Sequence, residues 1–160
     1  MAELTEFLRA RLDEDENSAR LCSSAEWTGD QDTGEIYRAD DDAVWGGTVA
    51  VVHGERLQHI TGTLGYFEAV HIARHDPAAV LDDIESKRRI LDEHAELWRD
   101  IGWLADGDEE YSELPVCGVC VPKHSHFKSR SDVPNGPCRT VRLLALPYAS
   151  HSDYREEWRP

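Results

Sequence analysis

Leu4, Phe7, Leu8 and Leu12 recur at steps of three and four within an otherwise acidic stretch. That is the spacing of one helical face, and it predicts a helix over residues 3–21 that buries this stripe. From Trp27 the rhythm changes to short runs of β-formers punctuated by Gly34, Gly46, Gly47, Gly54, Gly62 and Gly65. Two to four short antiparallel strands are expected here, with His53-Gly54 turning a hairpin between "TVAVV" and "RLQHI". Asp76-Pro77 then opens a second helix. Aspartate is a preferred N-cap, and proline at the first helical position gives up a donor that would have no partner there. Leu81, Ile84, Leu91, Ala95 and Trp98 share one face of this helix, which should end near Gly102. "ADGDEEYSELP" follows as an acidic linker. "RTVRLLALPYA" predicts a short helix stopped by Pro147, and residues 150–160 a last turn with Tyr154 and Trp158 four apart.

A chain of 160 residues can bury one core of ordinary size, and a composition 40% hydrophobic and 31% charged lies well clear of disorder. The net charge of −15 is uneven. Residues 1–42 and 76–113 each carry 13 acids against 4 bases, whereas 114–160 carry 4 against 7. The basic end is expected to dock on the acidic remainder of its own chain. Direct nucleic-acid binding is disfavoured, because a charge of this sign repels phosphates over a Debye length of about 8 Å. No apolar run approaches the roughly 20 residues of a membrane span, and the first residues turn acidic where a signal peptide would stay apolar. A cytoplasmic location is expected. In that reducing compartment four cysteines point to metal or redox chemistry before disulfides.

"HIARHDPAAVLDDIESKRRIL" (71–91), "CRTVRLLALPYASHSDYREEWRP" (138–160) and the "FLRARLDEDE" helix resemble a family of small uncharacterised proteins from actinobacteria and their phages, a domain of unknown function. The tail departs from the family pattern at Ser150 and Ser152. The resemblance implies a phage-associated origin and supplies no activity.

The chemistry concentrates in "CGVCVPKHSHFKSRSDVPNGPC", residues 117–138. Cys117-x2-Cys120 sets two thiolates on one tight turn, with Gly118 easing the bend, so that both sulfurs can face one ion about 2.3 Å away. Cys138 arrives at a spacing usual for the second half of a zinc site, and the intervening loop offers His124 and His126. The expected centre is zinc held by Cys117, Cys120, His126 and Cys138. His126 is preferred over His124 for its extra slack, and His71 or His75 are substitutes. A loop with only Val119, Val121, Phe127 and Val133 to bury needs such a staple. A redox Cys-x-x-Cys wants a strand before it and a helix after, and Pro122 fits that poorly. Cys22 is expected as a small buried apolar residue.

His71 and His75 lie four apart, but Ile72 occupies the place where a zincin carries its glutamate. Glu68 or Asp76 could serve instead in a metal-dependent hydrolase. The simpler role is to fix the turn into the Asp76 helix. Asp40, Asp41 and Asp42 with the helix acids could imitate a phosphate backbone and so inhibit a nucleic-acid-binding protein.

The whole is expected to be α+β: two main helices with a small antiparallel sheet and a C-terminal zinc-stabilised module. A core domain over 1–113 would carry a Cys/His module over 114–160. The expected function is that of a non-enzymatic binding or regulatory protein acting through a protein partner, since a closed Cys3His shell leaves zinc no open position.

Overall fold

A computed structural model describes residues 2–22, 24–30, 35–39, 48–51, 65–100, 113–121, 134 and 136–160. Its elements in chain order are α1 (Ala2–Arg20), β1 (Trp27–Gly29), β2 (Glu35–Arg38), β3 (Thr48–Val51), α2 (Gly65–Ala73), α3 (Pro77–Glu93), β4 (Glu96–Asp100), β5 (Glu113–Cys117) and α4 (Arg139–Ala145), with 3-10 turns at Leu146–Tyr148 and Glu156–Trp158. Among the described residues, four helices and two small antiparallel sheets make the fold α+β, as expected. Two compact units form, Met1–Leu12 with Ser86–Pro160, and Asp13–Glu85. Residues 114–160 lie wholly in the first of these.

The Asp13–Glu85 unit is built on a meander in the order β1-β2-β3, with an irregularity between Ile36 and Tyr37. Ile36 and Ala69 are fully buried, and Ile84 and Ala73 join them in the core. Helix α2 lies close against β1: a Cβ on Gly29 would stand 2.8 Å from the Ala69 carbonyl oxygen, a clash with backbone that only glycine avoids. The predicted start of α3 is found. Asp76 Oδ1 accepts from Ala79 N at 2.8 Å, and its Oδ2 accepts from Trp27 N at 3.2 Å. One carboxylate thus caps α3 and anchors the start of β1. Asp76→Ala is expected to cost about 1–2 kcal/mol, the upper part of the range for a lost cap because a second bond goes with it; a lowered urea midpoint at unchanged slope checks this. The expected hairpin at His53-Gly54 and the run "RLQHI" lie outside the described residues.

In the unit of Met1–Leu12 and Ser86–Pro160, α1 buries Leu4, Leu8, Leu12 and Phe7, the stripe read from the sequence. Phe7 sits among Tyr148, His151, Tyr154 and Trp158, with ring centroids 5.2 to 6.3 Å away. Helix α4 adds Val141 and Ala145 to the core. Arg142 ties the last residues down by donating to the carbonyls of Pro137, Glu157 and Arg159. The short C-terminal helix and final turn stand where expected, with Pro147 opening a 3-10 turn.

Four expectations change. The second helix ends at Glu93, nine residues before Gly102, because His94 N and Ala95 N close its last turn on Ile90 O and Asp92 O. The chain then extends and pairs with residues read as linker: β4 and β5 are antiparallel, with Glu96 opposite Cys117 and Asp100 opposite Glu113. Trp98, assigned to the buried helical stripe, is 67% exposed on β4. Cys22 is exposed, following α1 as its last turn unwinds, with its thiol 3.6 Å from Ser18 O.

Candidate metal centre

Three local structures converge on one point. The first is the turn after β5. Val121 N donates to Cys117 O at 3.1 Å and Gly118 N to Ala95 O at 3.2 Å, so the chain folds back at once and carries Cys120 beside Cys117. A Cβ on Gly118 would meet Leu97 Cδ1 at 2.8 Å, so the small residue lets the turn lie against β4. The second is the N-terminus of α4. Cys138 is its N-cap residue, in extended conformation, and its side chain caps nothing. Serine or aspartate there would turn inward to the helix amides, whereas this thiol reaches the cluster. The third is the end of α3, which delivers His94.

The side chains of His94, Cys117, Cys120 and Cys138 place their ligand atoms within 4.8 Å of one another. His94 Nδ1 lies 3.3 Å from Cys117 Sγ, 3.5 Å from Cys120 Sγ and 3.5 Å from Cys138 Sγ. A single imidazole nitrogen has one proton or one lone pair, so three near-equal sulfur neighbours are no hydrogen-bonding pattern. They are the pattern of a shared ion. With Zn–S near 2.3 Å and Zn–N near 2.0–2.1 Å, tetrahedral angles require N···S edges of about 3.5–3.6 Å, and the observed edges are within about 0.3 Å of that. The residues fit a four-coordinate metal ion such as zinc, with every position taken by protein.

The electrostatics agree. Burial raises the Cys117 thiol, but donation from the backbone N–H groups of Cys120 and Val119, with help from His94, outweighs this and brings it down to about 7. One of those bonds, Cys120 N to Cys117 Sγ at 3.4 Å, is the amide-to-thiolate contact that a tight Cys-x2-Cys turn provides. Cys120 is pushed up to about 12: although the residue is exposed, its sulfur gives up water to the protein around it, and the Cys117 and Cys138 thiols crowd it. A dication placed among the sulfurs would offset the crowding that pushes Cys120 up.

Of the residues named from the sequence, Cys117, Cys120 and Cys138 are brought together. His126 and His124 lie outside the described residues. His94 is the histidine found beside the sulfurs, and sequence reasoning missed it because it was taken for an interior helical residue. The strand register held the signal. Glu96 pairs with Cys117, so the residue two before Glu96 falls just past the end of the hairpin, where the Cys117–Cys120 turn stands. His71 and His75 are exposed and belong to the Asp13–Glu85 unit. Their rings lie 4.5 Å apart, and His75 Nδ1 donates to His71 O at 2.9 Å, which closes the turn between α2 and α3. Among the described residues neither belongs to any group of three or more potential metal ligands.

The sequence matches, over residues 1–160, a family of unknown function, DUF6221. The chain belongs to that family. No curated protein and no solved structure matches it. For this DUF6221 member the centre therefore stands on its own geometry. Among the described residues no helix is long and apolar enough to cross a membrane.

Proposed function

We propose that the protein is a non-enzymatic, zinc-stabilised binding protein that acts through a protein partner in the cytoplasm. The observation that carries this is the closed donor shell of His94, Cys117, Cys120 and Cys138. Catalytic zinc keeps a position for water or substrate, and four protein ligands leave none. A structural ion instead fixes the β4–β5 hairpin, the turn after it and the start of α4 as one rigid piece. Leu97, Trp98 and Val119 stand exposed on this piece, and an aromatic side chain on a fixed support is the kind of group that anchors a protein interface. The net charge of −15 would steer a basic partner toward the molecule.

Elemental analysis of the purified protein is expected to find one zinc per chain. Cobalt substituted for it should show the intense visible absorption of a tetrahedral thiolate site. A weak octahedral spectrum, or metal well below one equivalent, would refute the centre. The partner claim is tested separately by capture from host lysate with the wild-type chain and with Trp98→Ala. A protein held at low salt, weakened at high salt and lost with the variant supports the proposal. Equal capture by both chains, or capture abolished by nuclease, overturns it.

A further inference from the structure

The metal centre has an open side. A cavity of about 270 Å³, lined by Cys117, Cys120 and Cys138 together with Gly136, Pro137 and Arg139, adjoins the sulfurs and is far larger than one ion needs. The three residues differ in exposure: Cys120 is exposed, Cys138 half-buried and Cys117 buried. The Cys120 sulfur lies within 4.8 Å of both of the others. The most exposed of the three residues thus has two sulfur neighbours able to act as second reactant.

We propose that this cluster is an oxidant-sensitive latch in which hydroperoxides convert Cys117 and Cys120 to a disulfide and thereby release the metal. The inference rests on the reading of the site as a metal centre. In the first step the Cys120 thiolate attacks one peroxide oxygen as the O–O bond breaks. The sulfur is oxidised by two electrons to the sulfenate level, and the peroxide is reduced to water or an alcohol. In the second, the Cys117 thiolate forms the S–S bond as the S–O bond breaks and hydroxide leaves, taking a proton to become water. Cys117 is the chosen resolving residue because it shares a four-residue turn with Cys120, held closed by Val121 N on Cys117 O, so the ring closes without moving another element. Two donors are consumed, and Cys138 with His94 make too small a set to retain the ion. The start of α4 then loses its tie to the hairpin, while the disulfide keeps the turn itself.

The test uses the full-length zinc-loaded chain, with bound zinc measured before any oxidant is added. Hydrogen peroxide is then given in modest excess, zinc release is followed with a chromogenic chelator, and disulfides are mapped by digestion after alkylation. The expected result is release of the full equivalent of zinc in step with loss of two thiols and appearance of the Cys117–Cys120 bridge. Dithiol reductant and added zinc should reverse all three. Cys22 is exposed but stands outside the cluster, so Cys22→Ser should release zinc at the wild-type rate. If zinc is present beforehand and stays bound while Cys22 is consumed, the latch is overturned and the metal centre stands. A Cys120–Cys138 bridge, or oxidation to sulfinic acid without any bridge, overturns it equally. A chain carrying no zinc before oxidant is added overturns the metal centre itself, and the latch with it.

Discussion

Chelation of the zinc-loaded protein should unfold β4, β5 and the start of α4. A structural zinc site contributes an apparent ~10–16 kcal/mol in small modules, against the roughly 5–15 kcal/mol net stability of a whole domain. Loss of the ion therefore removes as much free energy as such a unit has in surplus. Among the described residues, Val116 and Val121 are the buried apolar side chains beside Cys117 that support the knuckle. Amide exchange read by mass spectrometry should show protection lost across β4, β5 and α4 on adding chelator, and regained on restoring zinc. Unchanged protection would refute a structural role for the metal. His94→Ala gives the sharper version. Loss of a mere outer-shell partner costs about 10–100-fold in metal affinity, so deletion of a ligand should exceed 100-fold. His126→Ala is the companion variant. If it releases zinc and His94→Ala does not, the ligand set expected from the loop spacing is the true one. Acid should act in the same direction as chelator, since protons compete with the metal for every thiolate and for the imidazole, and retention should improve steadily with rising pH.

Residues whose role follows from their neighbours in sequence were legible. The α1 stripe, the Asp76 cap before Pro77, the stop at Pro147 and the thiol pair of Cys117 and Cys120 are each local patterns, and each is found. What escaped depends on partners distant along the chain. Ala95 and Trp98 continue the spacing of Leu91 so closely that the helix seemed to run on. It stops because Glu96 to Asp100 gain more as one side of a hairpin whose other side begins at Glu113. Periodicity cannot register a partner on the far side of a loop, and the misplaced helix end concealed His94 with it. Cys22 was misjudged for the opposite reason. Free cysteine is buried in most proteins, but a residue just past a helix end, held by one thiol contact to Ser18 O, follows the surface.

Trp158→Ala is expected to be the most damaging single change that leaves the metal ligands intact. The side chain is 7% exposed. Its ring packs 5.2 Å from Phe7 and edge-on to Tyr154 at 5.7 Å, with the Arg155 guanidinium 5.4 Å above it. Phe7 also meets Tyr148 and His151, so the indole closes an aromatic cluster that joins the first helix to the end of the chain. Truncation leaves a void that this 3-10 turn, pinned by Arg142 on Glu157 O and Arg159 O, cannot easily collapse into. Loss of a buried tryptophan costs about 3–5 kcal/mol, and each aromatic pair adds about 0.5–1.5 kcal/mol beyond area alone. At roughly 2–4 °C per kcal/mol for a chain of this size, the melting temperature should fall by about 6–20 °C. Trp98→Ala, at a side chain 67% exposed, should shift stability by no more than about 0.5 kcal/mol. Both variants should still bind one zinc, because neither residue lies in the donor set. Equal melting temperatures for the two variants would show that the aromatic cluster is not what secures the C-terminal turn.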